Sequence, residues 1–383
     1  MPFEYLEALD AALVAFVQDL PEQSLGRKIV LHTEEVFPET ETAAIAIIGV
    51  PDNRGMNDKK SHVHLNYIRK ELYGLFPGNW DKGIIDLGNI PSGETPQDTY
   101  YAVKSILEIL IKDKVMPIVI GGSQDLAYGM YRAYDKLEQM VNMVAIDSRF
   151  DFGKEDEPMS ARSYLTRIIV DEPNNLFNYS NIGFQTYYNS QEEIDLIEKL
   201  YFDAYRLGEI SKDPSIAEPV FRDADMVCVD MMAVRSAESG NIVKFIPNGF
   251  DGKEICTLAR YAGISDKVTS FGIFNHEDTR QEAALIAQVI WYFVEGMHYR
   301  SNEYPFVSKE QYLKYIVPME GEELIFYKSD RTERWWIDVP YVSGVDNKLK
   351  RNTLLPCSYN DYIIACNNEF PERLWKAQRK NII

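Results

Sequence analysis

The chain has 383 residues and a formal net charge of −19 at pH 7. This acidic balance argues against nucleic acids and anionic membranes as partners, because both repel a negatively charged protein. Hydrophobic residues make up 45% of the sequence, which is enough apolar material for a large packed core.

The cysteines and the start of the chain both bear on its compartment. The four cysteines are far apart and form no CxxC pair: Cys228, Cys256, Cys357 and Cys366. This favours a reduced protein over a zinc site or a disulfide scaffold. Residues 1–20 lack the basic start and cleavage site of a signal peptide, and no apolar run is long enough to cross a bilayer. We therefore expect a cytoplasmic protein.

An N-terminal helical extension, residues 1–42, precedes the main body of the chain. Apolar residues recur at intervals of three and four between residues 6 and 20, which predicts an amphipathic helix. The body begins at residues 43–50, a continuous apolar run that is typical of a buried parallel strand.

Short apolar runs then alternate with helical segments up to residue 300. The predicted strands are residues 43–50, 82–87, 117–120, 143–146, 181–184, 226–229 and 268–274. The predicted helices are residues 62–75, 95–113, 125–137, 160–170, 191–205, 214–222, 253–262 and 278–298. This alternation predicts an α/β domain over residues 43–300, with a parallel sheet covered on both faces. We expect the aromatic-rich residues 301–383 to pack on the same domain, with residues 323–327 as an eighth or edge strand.

Three of the predicted strands end in polar clusters. Ser123, Gln124 and Asp125 follow the third strand, the segment 147–151 follows the fourth, and Asp230 follows the sixth. Ligands bind outside the carboxyl ends of the strands in open parallel sheets. The sequence therefore predicts that these clusters converge on one site.

Five motifs at the strand ends carry a resemblance to a known family. They are IGVP at 48–51, IDLG at 85–88, IVIGG at 118–122, IDSRFD at 146–151 and VCVD at 227–230. Their order resembles the ureohydrolase superfamily of arginases, agmatinases and formiminoglutamases over residues 43–298, and the formiminoglutamase-like branch is the most similar. The resemblance implies a three-layer α/β/α sandwich with a mostly parallel eight-stranded sheet, and a homo-oligomer. It also implies two manganese ions whose bridging hydroxide attacks an amidine or guanidine carbon.

Only part of the implied metal-ligand set is present in this sequence. Three of the six ligand positions keep their carboxylates, namely Asp147, Asp151 and Asp230. The other three positions hold residues that differ from the implied ligands, namely Gln124, Arg149 and Met232. Gln124 and Arg149 stand where the resemblance implies histidines, and Met232 stands at a bridging carboxylate. A shifted register that pairs Cys228 with Asp230 also loses one oxygen ligand.

The arginines suggest how such a site could exist without metal. A guanidinium has no lone pair for a metal and stays protonated, but it forms charge-assisted hydrogen bonds with carboxylates. We therefore predict that Arg149 neutralises Asp147 and Asp151, and that Arg235 does the same for Asp230. On this hypothesis the chain uses no metal cofactor. A weak oxygen-only site for magnesium or calcium is the alternative.

Further polar residues have a structural and a functional interpretation each. Asp125 and Arg235 are candidate ligand-pocket residues, although the structural interpretation of Asp125 is a carboxylate at a helix start. Cys228 is interpreted as a buried strand residue, since no histidine partner lies nearby in the sequence. Glu277 has no assigned role, and we assign no catalytic residue.

Two functions follow from these observations. The first is a pseudoenzyme with a degenerate manganese site, which binds a small amino-acid-like or amidino ligand or acts as a structural or regulatory protein. The alternative is a formiminoglutamase-like hydrolase of amidine or guanidine C–N bonds with a rearranged or single-metal site. The lost ligands favour the first function, and ancestry favours the second.

Overall fold

A parallel sheet forms the centre of the protein. The structure is a computed structural model that describes residues 2–56, 62–137, 139–154, 157–303, 309–339 and 354–380. Within these ranges the sheet has nine strands in the order β1-β3-β2-β4-β9-β8-β5-β6-β7. The strands are β1 Val30–Leu31, β2 Ile45–Val50, β3 Ile84–Asn89, β4 Met116–Gly121, β5 Val141–Ile146, β6 Leu176–Phe184, β7 Asp203–Arg206, β8 Met226–Asp230 and β9 Ser270–Phe274. The pairings of neighbouring strands are parallel.

Helices cover both faces of this sheet. They are α1 Ala11–Gln18, α2 Asn66–Gly74, α3 Pro96–Lys112, α4 Leu126–Arg132, α5 Tyr164–Val170, α6 Gln191–Lys199, α7 Leu207–Lys212, α8 Glu218–Arg222, α9 Ser236–Ser239, α10 Gly252–Ile264, α11 Arg280–His298, α12 Tyr359–Cys366 and α13 Glu372–Lys380. Alternate residues of the strands enter two separate cores, so that Val144 packs on one face and Met143 on the other. The predicted three-layer α/β/α sandwich is confirmed.

The predicted number of strands in this sheet is wrong, because two edge strands lack a sequence signal. β1 has only two residues, and β7 overlaps the end of the segment 191–205 that was predicted as helix. Neither strand has the continuous apolar run of a central strand, since three of the four β7 residues are only half-buried and the fourth is exposed. Edge strands need less apolar sequence because fewer neighbours cover them.

Residues 323–329 lie outside the main sheet, contrary to the prediction of an eighth or edge strand. They form β11 of a second, antiparallel sheet with the order β10-β11-β12-β13. The other three strands are β10 Tyr312–Pro318, β12 Trp335–Asp338 and β13 Leu354–Cys357. Antiparallel pairing with β10 satisfies the hydrogen bonds of β11 within its own small core. Arg222 connects this sheet to the body by donating to the carbonyls of Trp335 at 2.8 Å and Cys357 at 2.9 Å.

The N-terminal helix is shorter than its periodic pattern predicts. α1 begins after Asp10, whose carboxylate accepts a hydrogen bond from the backbone N–H of Leu13 at 2.7 Å. Leu13 and Val17 are the helix residues that are buried against the body. Across the described ranges, none of the helices combines the length and the apolar character that crossing a membrane requires.

The strand order places four strand ends side by side. β4, β9, β8 and β5 are consecutive neighbours, and their register aligns Ile120 with Ile273 and Val229 with Ile146. The residues that follow these strands therefore meet at one edge of the sheet.

Candidate metal centre

Three buried aspartates meet at this edge of the sheet. One carboxylate oxygen each of Asp147, Asp151 and Asp230 lies within 4.8 Å of the other two. All three residues are at most 3% exposed. Asp147 directly follows β5, and Asp230 ends the neighbouring β8. The predicted convergence of these residues is confirmed.

Local turns aim these carboxylates. Asp147 Oδ1 accepts a hydrogen bond from the N–H of Arg149, and Asp230 Oδ1 accepts one from the N–H of Met232, both at 2.8 Å. In such turns an aspartate side chain accepts a hydrogen bond from the backbone N–H two residues further along the chain. Asp151 has a positive φ of 56°, a conformation that aspartate adopts more readily than most residues. These turns leave the opposite oxygens of Asp147 and Asp230 directed into the cluster.

Burial and mutual repulsion both act on the protonation of the three aspartates. Burial raises the pKa of Asp147 well above its usual range, and the charge of Asp151 raises it further. Burial also raises the pKa of Asp151 to about 6 and that of Asp230 to about 7. These shifts show that the carboxylates are short of positive charge in this environment.

Two oxygens of the cluster have no hydrogen-bond partner. Asp151 Oδ2 and Asp230 Oδ2 are buried and unpaired among the described residues. Buried polar atoms of proteins are normally paired, so each exception needs an explanation. Hard divalent cations such as Mg²⁺ and Mn²⁺ bind carboxylate oxygens of this kind. The three aspartates therefore fit a divalent metal ion.

Gln124 orients Asp147 and is not itself available as a ligand. Its Nε2 donates to Asp147 Oδ2 and to the Tyr164 hydroxyl, both at 3.0 Å. Its Oε1 accepts from Asn275 Nδ2 at 3.0 Å, and Asn275 Oδ1 accepts from the backbone N–H of Gln124 at the same distance. Both N–H donors of the side-chain amide are thus used, and its oxygen is held by Asn275.

The prediction that Arg149 neutralises the aspartates is wrong. Its Nη1 donates to the carbonyl of Tyr188 at 2.9 Å, and its guanidinium lies 4.4 Å from the centre of the Tyr188 ring. In the described chain only its backbone N–H contacts the cluster. The aromatic face at the half-buried rim holds the cation without the full desolvation cost of the buried cluster.

The same prediction for Arg235 and Asp230 is also wrong. Arg235 Nη2 lies 2.9 Å from Glu238 Oε1 and 3.6 Å from Asp251 Oδ2. These half-buried carboxylates are reached while the Arg235 side chain stays 41% exposed, so the guanidinium avoids the desolvation cost of the buried cluster. Arg235 lines a separate cavity of about 470 Å³ together with Gln185 and other residues.

Asp125 lies at the predicted start of a helix, but its side chain does not cap it. The carboxylate forms no capping hydrogen bond to α4 and accepts instead from the Tyr100 hydroxyl. It packs so closely on Gly55 that a Cβ there would come within 1.8 Å of Asp125 Oδ1. Burial raises its pKa. Asp125 does not line the cavity beside Arg235.

A cation that the sequence did not indicate lies beside the cluster. Arg162 Nη1 is 3.4 Å from Asp151 Oδ1, and Arg162 Nη2 is 3.2 Å from the Met232 sulfur. Residue 162 lies in the turn before α5, eleven positions after Asp151. The two residues are too far apart to belong to one short sequence motif. Asn275 was missed as well, although it directly follows β9 and the strand-end rule could have found it.

Cys228 is a core residue, as interpreted from the sequence. It is fully buried and packs with Met143 and Tyr179 in one of the two cores. Burial raises the pKa of its thiol, which disfavours the reactive thiolate.

Known proteins similar to this chain include several formimidoylglutamases. Formimidoylglutamase of Staphylococcus epidermidis is 26% identical over 272 residues, which cover 65% of this chain and 85% of the relative. Among solved structures, Trypanosoma cruzi formiminoglutamase with Mn²⁺ superimposes with a TM-score of 0.60 at 16% identity, covering 68% of this chain and 96% of that one. Formimidoylglutamase of Bacillus subtilis superimposes with a TM-score of 0.59 at 18% identity, covering 68% of this chain and 88% of that one.

The expectation that the chain has no metal cofactor is contradicted by these findings. It depended on charge compensation by Arg149, which points to Tyr188 instead. The Trypanosoma cruzi enzyme that shares the fold carries Mn²⁺. At the carboxyl edge of its sheet, this chain has a cluster of three carboxylates, of which Asp151 and Asp230 each have one unpaired oxygen among the described residues.

A family model supplies the remaining comparison. The model of the arginase family matches residues 43–271, which span every strand of the main sheet except β1 and the final residues of β9. This match covers more than half of the chain, and the motifs that carry the sequence resemblance lie within it. The chain therefore belongs to the arginase family.

Proposed function

We propose that this protein is a metal-dependent hydrolase of C–N bonds in linear amidines or guanidines, with formiminoglutamate-like compounds as the substrate class. The observation that carries the proposal is the cluster of Asp147, Asp151 and Asp230, in which two buried oxygens are unpaired. Membership of the arginase family and the formimidoylglutamase relatives support the reaction type. The absence of charge compensation by Arg149 weakens the pseudoenzyme hypothesis.

A divalent cation held by these three aspartates would supply a Lewis acid that activates water towards a carbon that neutral water attacks too slowly. Gln124 keeps Asp147 in place for this task, and Asn275 keeps Gln124 in place. Outer hydrogen bonds of this kind orient metal ligands and tune their affinity.

Charge and exposure suit the cluster to a metal ion that enters from solvent. Arg162 keeps 36% of its side chain exposed while the side chain of Asp151 is 1% exposed, so the cluster borders solvent at Arg162. Three ionised carboxylates beside one guanidinium leave an excess of negative charge, which attracts a divalent cation.

Turnover with and without metal tests the proposal. The purified protein is stripped with a chelator, reloaded with Mn²⁺ and assayed with formiminoglutamate, agmatine and arginine. We expect hydrolysis of at least one substrate, lost on chelation and restored by Mn²⁺. Binding without turnover of all three would contradict the proposal and leave a ligand-binding protein.

A matched pair of variants locates the activity. Asp230→Asn removes a carboxylate of the cluster, whereas Asp225→Asn removes a buried carboxylate just before the start of β8, where it pairs with Lys267 at 3.3 Å. We expect loss of Mn²⁺ binding and turnover in the first variant and retention of both in the second. Equal activity of the two variants would show that the chemistry lies elsewhere.

A further inference from the structure

We infer that Arg162 occupies the place of a second metal ion, so that the site holds one divalent cation and one guanidinium. This inference rests on the proposed function, since it concerns the same cluster.

The position of the guanidinium supports this assignment. Arg162 spans Asp151 Oδ1 at 3.4 Å and the Met232 sulfur at 3.2 Å. Both residues occupy positions at which the sequence resemblance implies metal ligands, and the arginine lies between them. A thioether is a weak acceptor that hard cations avoid, so Met232 suits a guanidinium neighbour better than a manganese ion.

The balance of charge also favours one ion. Ionised Asp147, Asp151 and Asp230 carry three negative charges, which Arg162 and one divalent cation together neutralise. A second divalent cation would leave the buried site with excess positive charge, and uncompensated buried charge is costly. The guanidinium groups of Arg149 and Arg235 bind other partners, whereas that of Arg162 contacts the cluster.

The turn that carries Arg162 is built to hold it there. Ser160 Oγ accepts from the backbone N–H of Arg162 at 3.2 Å, and Ser163 Oγ accepts from the N–H of Ser160 at 2.9 Å. Ser163 packs on Gly153, where a Cβ would come within 2.2 Å of the serine Cβ. The loop after β5 and the start of α5 therefore fix the backbone from which Arg162 reaches Asp151.

Metal stoichiometry and electron paramagnetic resonance of the full chain test the inference. The chelated protein is titrated calorimetrically with Mn²⁺ at pH 8, and bound manganese is counted after gel filtration. We expect one Mn²⁺ per chain with the six-line spectrum of an isolated ion. Two ions per chain with a spin-coupled spectrum would overturn the inference, and this readout requires no variant.

Variants of Arg162 give an independent readout. Arg162→Met removes the competing positive charge, so we expect Mn²⁺ affinity to rise at least tenfold, because a cation near the site repels a divalent ion strongly. Arg162→Lys keeps the charge and should keep the affinity within a few-fold of wild type. Arg167→Met is the matched control, because Arg167 is similarly exposed at 38% and pairs with Asp171 instead.

The outcomes separate this inference from the proposed function. An Arg162→Met variant that binds Mn²⁺ no more tightly than Arg167→Met would overturn the role of Arg162. One Mn²⁺ per chain and the Arg162 effect without turnover would refute the hydrolase and leave this inference standing. Turnover with two Mn²⁺ per chain would support the hydrolase and overturn this inference.

Discussion

Two sites in the same sheet contain buried carboxylates, and the two sites differ in how fully those carboxylates are hydrogen-bonded. Asp86 in β3 accepts from Arg69 at 2.9 and 3.2 Å, from the Tyr73 hydroxyl at 2.7 Å and from the N–H of Gly88 at 2.9 Å. Arg69 and Asp86 are fully buried. In the metal cluster, by contrast, Asp151 and Asp230 each keep an unpaired oxygen.

The difference separates a structural from a functional use of buried charge. Both carboxylate oxygens of Asp86 accept hydrogen bonds from protein groups, so neither oxygen is left for a ligand. The aspartate cluster has three carboxylates and one nearby guanidinium, which leaves room for the further cation of the proposed function. Unpaired buried oxygens that lie together, more than single acidic residues, mark the candidate site.

The largest expected effect concerns the structural pair. Asp86→Ala leaves the Arg69 guanidinium buried without its carboxylate, and breaking a buried ion pair in this way costs about 3–5 kcal/mol of unfolding free energy. Urea denaturation measures this loss, and the double variant Arg69→Met/Asp86→Leu should recover most of it. A loss below about 1 kcal/mol would show that the two groups do not differ as described.

The next effect concerns the orientation of Asp147. Gln124→Ala removes the amide that donates to Asp147 Oδ2 and leaves the aspartate mobile. Loss of an outer hydrogen bond to a metal ligand typically costs about 10–100-fold in metal affinity. Calorimetric titration with Mn²⁺ measures it. Unchanged affinity in Gln124→Ala would mean that Asp147 is positioned by its turn alone.

Glu282 tests whether an unpaired buried oxygen outside the three aspartates affects stability. Its Oε2 accepts from the N–H of Glu277 at 2.8 Å, its Oε1 is unpaired in the described structure, and burial raises its pKa to about 8. Because the pKa is higher in the folded state, its contribution to stability is fully present below about pH 4.5 and is lost as the pH rises to about 8.

This dependence predicts a measurable difference between two proteins. In the wild type, Glu282 should lower the unfolding free energy by about 3 kcal/mol between pH 5 and pH 8, and Glu282→Gln should remove that contribution. Thermal or urea unfolding of the metal-free proteins at several pH values measures it. Parallel curves for the two proteins would show that Glu282 does not titrate in this range.

The smallest expected effect concerns Arg149. Arg149→Met removes a cation–π contact with Tyr188 and one hydrogen bond, which together are worth about 1 kcal/mol at a half-buried site. Because the guanidinium does not face the aspartates, Mn²⁺ affinity should change less than twofold. A larger rise in affinity, similar to that expected for Arg162→Met, would restore Arg149 as the compensating cation.

Much of the fold was predictable because central strands carry their own signal. β2, β4 and β5 are buried along their whole length, and each appears in the sequence as an apolar run. β1 and β7 are short or partly exposed, and their pairing depends on neighbours far away in the chain. The same difference explains the strand at 323–329, whose partner β10 could not be identified from its own apolar pattern.

The candidate site likewise has a part that the sequence predicts and a part that it does not. That Asp147, Asp151 and Asp230 meet was determined by the sequence alone, because parallel strands with polar ends bring those ends to one edge. Which cation accompanies them was decided only by the tertiary structure. The turn after β5 directs Arg149 onto Tyr188, and Arg162, eleven positions after Asp151 in the chain, lies beside that aspartate. The direction of a side chain beyond a strand end depends on loop dihedrals and distant hydrogen bonds, which residue spacing does not encode.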